Sequence, residues 1–211
     1  MDSQTLIKFL IEKYPALEIC KSDIEESSNI LISSFNEGGQ LLVCGNGGSS
    51  ADSDHIVGEL MKSFSKKRPL KTEFQDALEG VDSERGSYIA SKLEGGLPAI
   101  SLSAHTGLIS AVINDIDPNL IFAQQVAGYG KKGDVLIAIS TSGNSVNVVD
   151  ACITAKAKGM KVIGLVGESG GKMKQYCDVA VCVPTSVTPE VQEYHLPVYH
   201  TICQVIEHSI F

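Results

Sequence analysis

The stretch QLLVCGNGGSSADSDH, residues 40–55, decides the fold, because an apolar run leads directly into a turn rich in glycine and serine. The run at 40–45 is predicted to be a buried β-strand, and the residues from 49 to 63 follow a helical pattern. The glycines of the turn let the backbone bend sharply and approach a ligand, and Ser49 or Ser50 is expected to cap the helix. The segment therefore predicts a strand, a tight turn and a helix in succession.

The same alternation of apolar runs and helical stretches continues to the end of the chain. The predicted strands are 40–45, 97–103, 134–140, 161–167 and 178–184, and the predicted helices are 49–63, 105–113, 118–129, 144–158 and 188–211. The runs lack polar alternation, which is typical of parallel strands covered by helices on both faces. The sequence thus predicts an α/β fold with a doubly wound, five-stranded parallel sheet in an α-β-α sandwich.

Two segments stand outside this alternation. Residues 1–38 carry apolar positions at helical spacing that Pro15 interrupts, which predicts two N-terminal helices or one kinked helix. Residues 64–96 are polar and too long for a plain connection, so we expect one or two short surface helices or an active-site flap. The whole chain, 1–211, is predicted to form a single domain.

Composition excludes several classes of function. The chain has 211 residues and a net charge of −8, which argues against nucleic acids and anionic membranes as partners. There is neither an apolar run long enough to span a membrane nor a secretory signal, so a cytoplasmic protein is expected. The six cysteines form no CxxC pair and are interpreted as reduced, small hydrophobic residues; a thiolate zinc site has no support.

A second polar turn, ISTSGNSVN at 139–147, follows the predicted strand 134–140. Hydroxyl groups, backbone N–H groups and the positive end of a helix dipole together make an anion site, and a dianionic phosphate is the expected occupant. The hydroxyl-bearing residues, which surround Gly143, are Ser140, Thr141, Ser142 and Ser145.

Neither turn is typical of a nucleotide cofactor. No Gly-Lys-Ser/Thr follows either turn, and neither matches GxGxxG with a downstream acidic residue, which argues against ATP and dinucleotides. For either turn alone, the glycines and serines can equally serve only strand-to-helix geometry and capping. The two turns together are more informative about function than either turn alone.

The two turns, as CGNGGSSADSDH and ISTSGNSVNV, resemble those of the sugar isomerase (SIS) fold, and specifically of the phosphoheptose isomerase family. The similarity continues in VINDIDPNLIFAQQV (112–126), AKAKGMKVIGLVGESGGKM (155–173) and VQEYHLPVYHTICQVIE (191–207). It covers most of the chain outside 64–96. The resemblance implies a homotetramer, with sites at subunit interfaces, that interconverts sedoheptulose 7-phosphate and D-glycero-D-manno-heptose 7-phosphate for heptose biosynthesis.

The resemblance also assigns roles to positions of this chain. It implies Glu59 as the catalytic base and His200 as the catalytic acid. Where members of the family contain zinc, the ligands would be His55, Glu59, Gln192 and His200. The implied substrate contacts are Asn46, Gly47, Gly48, Asn114, Asp115, Ser140, Thr141, Ser142, Ser145 and Gln192.

The required chemistry can be examined from the residues themselves. Aldose–ketose isomerisation needs a base to move a proton between adjacent carbons and an acid to serve the two oxygens of an enediol. His55 and Glu59 are four residues apart on one helix face, which suits either joint metal ligation or a hydrogen-bonded pair. Gln192 and His200 are separated by about 12 Å of helical rise, so one ion joins them only if the side chains converge or Gln192 lies on the entering turn. A zinc ion is therefore compatible with the sequence but not required by the chemistry.

Several side chains keep more than one interpretation. Pro197 marks either a bend in the C-terminal helix or the first turn of a helix that starts there. The spacing of His195 from Gln192 allows it to face a neighbouring subunit, and His105 is expected either near the pocket or as a helix cap. Related sequences commonly carry an arginine shortly after the Glu-Leu pair, and this chain does not. The cations available instead are Lys62, Lys66, Lys67 and Arg68.

Three functions compete at this point. The first is an isomerase of heptose phosphates, and the second is a non-catalytic SIS module that binds a sugar phosphate or a partner protein. The third, an etherase or aminotransfer enzyme of the same fold, usually carries a second SIS unit, for which the chain leaves little room. A binding module has no need for a base and an acid in its pocket, so the presence of Glu59 and His200 favours the enzyme.

Overall fold

The strands form one parallel sheet in the computed structural model, which describes residues 2–211. The sheet order is β2-β1-β3-β4-β5, and every neighbouring pair is parallel. The predicted α/β fold with a five-stranded doubly wound sheet is confirmed. The strands are Leu41–Gly45 (β1), Ala99–Ser101 (β2), Val135–Ser140 (β3), Lys161–Val166 (β4) and Val179–Cys182 (β5).

Helices cover both faces of this sheet. Every residue of β1 and β3 is buried, which explains why these runs lack polar alternation. Within residues 2–211 the α-helices are Ser3–Lys13 (α1), Lys21–Asn36 (α2), Gly48–Met61 (α3), Thr72–Val81 (α4), Ser83–Ala90 (α5), Thr106–Asp115 (α6), Ile121–Tyr129 (α7), Val146–Ala157 (α8) and Thr188–Ile210 (α9).

Each face of the sheet has its own apolar core. Side chains such as Leu41 and Val43 of β1 pack with Ile56 of α3 and Ile202 of α9. The alternate residue Leu42 faces the opposite layer, which includes residues of α7 and α8. Because α3 and α9 share the first layer, side chains on their facing sides are brought together.

One helix start differs from the expectation, and one of the two alternatives for Pro197 is decided. α3 begins at Gly48, preceded by Gly47 with φ of +57°, so Ser49 and Ser50 lie within the first turn and neither caps it. The capping prediction was wrong because the left-handed conformation that Gly47 adopts starts the helix earlier. α9 begins at Thr188, so Pro197 lies inside the helix, and the alternative of a helix starting at Pro197 is also wrong.

The two segments outside the alternation are helical. Residues 1–38 contain α1 and α2, joined by a 3₁₀ turn at Pro15–Cys20, and both helices pack against α9. Residues 64–96 contain α4 and α5, which pack on each other, and no residue of α4 is buried. The two ends of this insertion lie close together, because Gly95 N–H donates to Arg68 O at 2.7 Å.

Neither a disulfide bond nor a membrane-spanning helix occurs within residues 2–211. All six cysteine thiols are unpaired. None of the helices in residues 2–211 combines the length and apolarity that a bilayer span requires.

His195 is buried within its own chain, on the face of α9 that covers the sheet. It has no exposed surface, so the option that it faces a neighbouring subunit is wrong. Neither ring nitrogen of His195 makes a hydrogen bond among residues 2–211. Two influences act on the pKa of His195: burial lowers it, and the Val166 backbone opposes part of that effect. Burial lowers the pKa of His195 to about 4, because the charged imidazolium is costly in an apolar layer.

Substitution of His195 by leucine is expected to reduce the sensitivity of the fold to mild acid. A lowered folded-state pKa means that the unfolded chain binds more protons, so stability falls as the pH drops from about 6.5 toward 4. Between pH 7.5 and pH 5.0 the wild type should lose about 2 kcal/mol of unfolding free energy that His195→Leu retains. Urea denaturation at both pH values measures this difference. His105→Asn, which replaces an exposed imidazole, is the control and should behave as the wild type; equal losses in all three proteins would contradict the assignment.

Candidate active site

The two polar turns lie side by side, because β1 and β3 are neighbours and both turns leave the carboxyl ends of these strands. A reciprocal pair of amide hydrogen bonds joins them: Asn46 and Asn147 each donate Nδ2–H to the other's Oδ1 at 2.9 Å. Asn147 was not predicted as a site residue from the sequence. It could have been identified from its place in the second turn, because that turn follows β3, the strand that neighbours β1.

The second turn has the composition expected of an anion site. Ser140 Oγ and Ser145 Oγ are 3.1 Å apart, and Ser142 Oγ accepts a hydrogen bond from Asn144 N–H at 3.2 Å. α8 begins at Val146, directly after these hydroxyls. Because the first N–H groups of a helix have no intrahelical partner, the turn offers hydroxyl and N–H donors together.

Gly143 is the residue on which this turn depends. Its φ is +64°, and a Cβ atom at this position would lie 2.1 Å from the carbonyl oxygen of Gly170. The turn therefore packs directly against the segment that follows β4, and only glycine fits there.

The first turn contacts the C-terminal helix. A Cβ atom at Gly48, the first residue of α3, would lie 2.7 Å from Gln192 Nε2. The side chain of Gln192 thus reaches from α9 to the beginning of α3. The structure brings together Gly48 and Gln192, which the resemblance names as substrate contacts.

Glu59, His55 and His200 form a contact cluster further along α3 and α9. His55 Nε2 lies 3.0 Å from Glu59 Oε1 and 3.4 Å from His200 Nε2. The side chain of Glu59 is 13% exposed, so this carboxylate is largely withdrawn from water. A single chain therefore places the implied base and the implied acid against the same nitrogen of one imidazole, His55 Nε2.

A second layer of polar groups supports His55. The Tyr199 hydroxyl lies 3.0 Å from His55 Nδ1 and donates to Asp52 Oδ1 at 3.2 Å. Burial raises the pKa of Asp52, and burial together with the Asp52 charge raises that of Tyr199. Neither Asp52 nor Tyr199 was predicted as a site residue from the sequence. The spacing of Asp52, three before His55 and seven before Glu59, would have placed it on the same helix face.

The environment of His200 favours its neutral form. Burial and the neighbouring His55 lower the pKa of His200, while Glu59 opposes the shift. The ring of Phe64 covers it at a centroid distance of 5.4 Å. The lowered pKa favours the neutral imidazole, which can donate a proton from a ring N–H.

The four cations that follow Glu59 in the sequence are in different situations. Lys62 Nζ lies 3.4 Å from Glu59 Oε2, and its side chain is 62% exposed. Arg68 has no exposed surface and is paired with Glu207 at 2.7 Å, so it is not free to bind a ligand. Lys66 and Lys67 form no ion pair within residues 2–211. Lys62 is thus the cation placed beside the carboxylate of Glu59.

Other residues named from the sequence lie apart from this cluster. Asn114 and Asp115 end α6 and are exposed, and Asn114 Nδ2–H donates to Asp115 Oδ1 at 2.7 Å. Neither is hydrogen bonded to the cluster in the described chain. His105 Nδ1 accepts the Leu108 N–H at 3.2 Å, so His105 is the cap of α6.

The implied zinc ligands do not form a ready metal site. Within residues 2–211, no group of three or more His, Cys, Asp or Glu side chains is arranged to hold a metal ion. His55 Nε2 contacts the Glu59 carboxylate directly. The donor set of two imidazoles, one carboxylate and one amide is chemically suited to zinc, but binding would require these side chains to separate.

Comparison with known proteins adds to this geometry. The SIS domain model matches residues 14–95 and 85–167. The chain is 39% identical over 188 residues to the phosphoheptose isomerase of Burkholderia pseudomallei (strain 1710b), covering 89% of this chain and 82% of that protein. It is 41% identical over 186 residues to the phosphoheptose isomerase of a Nitratiruptor species, covering 88% of this chain and 86% of that protein.

The chain belongs to the phosphoheptose isomerase family. Its fold agrees with this assignment: the structure of the phosphoheptose isomerase GmhA from Neisseria gonorrhoeae superposes with a TM-score of 0.75 at 30% identity, covering 95% of this chain and 94% of that one. The sequence-based recognition of the family is confirmed.

Replacement of Gly143 by alanine is expected to destabilise the protein. The positive φ and the clash with Gly170 O together should lower the unfolding free energy by about 1–3 kcal/mol. Gly128→Ala in α7, where an added Cβ meets nothing within 4 Å, is the matched control and should be neutral or slightly stabilising. Chemical denaturation compares them, and a Gly143→Ala protein as stable as the wild type would show that the turn is not rigid.

Proposed function

We propose that the chain isomerises sedoheptulose 7-phosphate to D-glycero-D-manno-heptose 7-phosphate, the reaction that its relatives' name indicates. The observation that carries the proposal is the contact of Glu59 and His200 with the same imidazole, on a helix that begins at the first of the two turns. The chain is an isomerase of sugar phosphates. The non-catalytic binding module is not favoured, because it would have no use for this base and acid.

The phosphate group binds at the second turn in this proposal. The hydroxyls of Ser140, Ser142 and Ser145 and the N-terminus of α8 supply donors without a formal positive charge. Such a site accepts a dianion even though the chain carries a net charge of −8. The carbonyl end of the sugar then extends toward α3 and α9.

Proton transfer is divided between the two side chains. The Glu59 carboxylate removes a proton from C1 of the ketose while a ring N–H of His200 donates a proton to the carbonyl oxygen at C2, which gives the enediol. Glu59 returns its proton to C2, and the hydroxyl proton at O1 passes to His200. The product is the aldose isomer, and both side chains regain their starting protonation states.

Zinc is part of the proposal only as an optional ligand of the site. His55, Glu59, Gln192 and His200 would hold it, and a bound ion would polarise the sugar carbonyl as a Lewis acid. The proton transfers described for Glu59 and His200 do not depend on it, since hydrogen bonds can stabilise an enediol.

A second copy of the chain is proposed to complete the site. A groove of about 540 Å³ lies between α1 and α9, and His200 is part of its lining. Phe9 and Leu196 on this groove are 51% and 41% exposed, which is unusual for apolar side chains beside a catalytic residue. Much of the N-terminal apolar surface is already buried within the chain, and this remaining patch is the proposed contact of a homotetramer. The cytoplasmic location expected from the sequence stays a prediction.

Substitution of Glu59 by glutamine should abolish turnover and preserve binding. Loss of the base is expected to lower kcat by a factor of about 10²–10⁴, while the dissociation constant of sedoheptulose 7-phosphate changes little. The measurement is formation of aldoheptose phosphate by the purified protein, with and without a chelator, and calorimetry for binding. Ser142→Ala is the companion variant and should weaken binding more than turnover.

The arms of this assay separate the claims. No aldoheptose phosphate from the wild type, even with added zinc, would refute the proposed reaction. Full turnover by Glu59→Gln would remove Glu59 as the base. Loss of wild-type activity with the chelator and its return with zinc would support the metal, and unchanged activity would argue against it.

Assembly is expected to depend on the α1–α9 groove. Phe9→Glu places a charge on the proposed contact and should shift the sedimentation coefficient at micromolar concentration from that of a tetramer to a smaller species. Phe74→Glu is the matched control, because Phe74 on α4 is 50% exposed on a different face. A monomeric wild type, or an unchanged assembly of Phe9→Glu, would contradict the proposed contact.

A further inference from the structure

Arg68 and Glu207 form an ion pair without any exposed surface, beside the proposed active site. Arg68 Nε lies 2.7 Å from Glu207 Oε1, and both side chains are 0% exposed. A pair of this kind costs much of its electrostatic attraction in desolvation, and apolar replacements are often equally stable. Stability alone therefore does not account for its place in the structure.

The guanidinium group of Arg68 holds the end of the helix that carries Glu59. Its Nη2–H donates to Glu59 O at 2.9 Å, and its Nη1–H donates to Leu60 O at 2.6 Å. α3 ends at Met61, so these carbonyls belong to the last turn, whose oxygens have no intrahelical partner. A cation at the negative end of the helix dipole also favours this arrangement.

The carboxylate of Glu207 holds the segment that follows α3. Glu207 accepts the N–H of Phe64 and that of Ser65, each at 2.8 Å, and also the Ser65 hydroxyl. Phe64 is the residue whose ring covers His200. The oxygens of Glu207 therefore bind residues 64–65, which directly follow the helix of Glu59 and include the aromatic ring over His200.

Glu207 also lies on the same face of α9 as His200. The two residues are seven apart on one helix, which is about two turns, or about 10 Å of rise, with nearly the same direction. The ion pair therefore ties the last turn of α3 to α9 at a fixed distance from His200. Charge-assisted hydrogen bonds are directional, so this tie fixes the register of the two helices as well as their spacing.

We propose that Arg68 and Glu207 are positioning residues for the reaction: the buried pair holds α3, and with it Glu59 and His55, in register with His200 on α9. The proposal rests on the proposed function for its kinetic consequences. Arg68 is suited to this role because its planar fork serves one carboxylate and two carbonyls at once, which a lysine cannot do.

The test is the double variant Arg68→Met/Glu207→Leu, which removes both charges and keeps apolar volume. We expect it to fold with a lower melting temperature than the wild type, because the backbone groups that the two side chains serve lose their partners, and to have a KM for sedoheptulose 7-phosphate within about threefold of the wild-type value. Its kcat should fall by about 10- to 100-fold, the loss that a displacement of about 1 Å produces. Lys156→Met is the control, because its partner Asp178 belongs to an exposed ion pair remote from α3 and α9, and it should leave kcat and KM unchanged.

Arg68→Lys is the second variant and decides the matter if the double variant fails to fold. It keeps the positive charge opposite Glu207 but cannot hold both carbonyls, so we expect a folded protein with a lower kcat and an unchanged KM. A folded double variant, or a folded Arg68→Lys protein, with wild-type kcat would overturn the proposal. A large rise in KM with constant kcat would also overturn it, because substrate binding rather than register would then be affected.

A substrate-free measurement separates this proposal from the proposed function. In a crystal structure of the folded variant, Glu59 and His55 on α3 should be displaced together by about 1 Å relative to His200 on α9, which changes the wild-type separation of 3.4 Å between His55 Nε2 and His200 Nε2. The wild-type separation in that structure would refute the positioning role. An inactive wild type with displaced groups in the variant would refute only the assigned reaction.

Discussion

The packing of α9 across α3 is the constraint on which the rest of the site depends. The proposed base, Glu59, lies on one helix and the proposed acid, His200, on the other, and they contact His55 at 3.0 and 3.4 Å, respectively. Neither helix could present this cluster alone, because α3 lacks the acid and α9 lacks the base. The apolar layer that both helices share with the sheet brings them together, and the Asp52–Tyr199 contact fixes the imidazole between them. Chemistry at this site is therefore a consequence of core packing between distant parts of the chain.

The order of the strands supplies the second half of the site. In the order β2-β1-β3-β4-β5 the direction of progression reverses between β1 and β3, and ligands of open α/β sheets bind at such a reversal. The turns after these two strands lie at this point, and the Asn46–Asn147 amide pair spans it. The site can therefore hold an anion on N–H groups and hydroxyls while the protein as a whole stays acidic. A dipolar site of this kind needs rigidity more than charge, which is why the close contact of Gly143 with Gly170 matters.

The sequence predicted the parts of this structure that follow from local pattern. Continuous apolar runs predicted every strand, because parallel strands buried on both faces leave no other pattern, and four-residue spacing placed His55 and Glu59 on one helix face. It could not predict that Tyr199 contacts His55 or that Phe64 lies against His200, since these contacts depend on how α9 and the segment after α3 pack. Ser49 and Ser50 were misjudged for a related reason: whether a serine caps a helix depends on where the backbone enters the helix, and the φ of Gly47 decides that. The failures are therefore in tertiary packing and in backbone conformation, not in the assignment of the elements.

Related sequences commonly carry an arginine shortly after the Glu-Leu pair, and the burial of Arg68 means that Arg68 cannot replace it as a ligand-binding cation. Composition alone left four cations as substitutes, of which Arg68 has the side chain best suited to bidentate binding. The structure commits that side chain to Glu207 and to the carbonyls at the end of α3, so the cation that remains at the carboxylate of Glu59 is Lys62. Lys62 is 62% exposed, and an exposed pair of this kind contributes little because water and salt screen it. The position of the Glu59 carboxylate is then set by its packing among His55, His200 and the buried ion pair. Electrostatic attraction to a neighbouring cation has only a minor part in it.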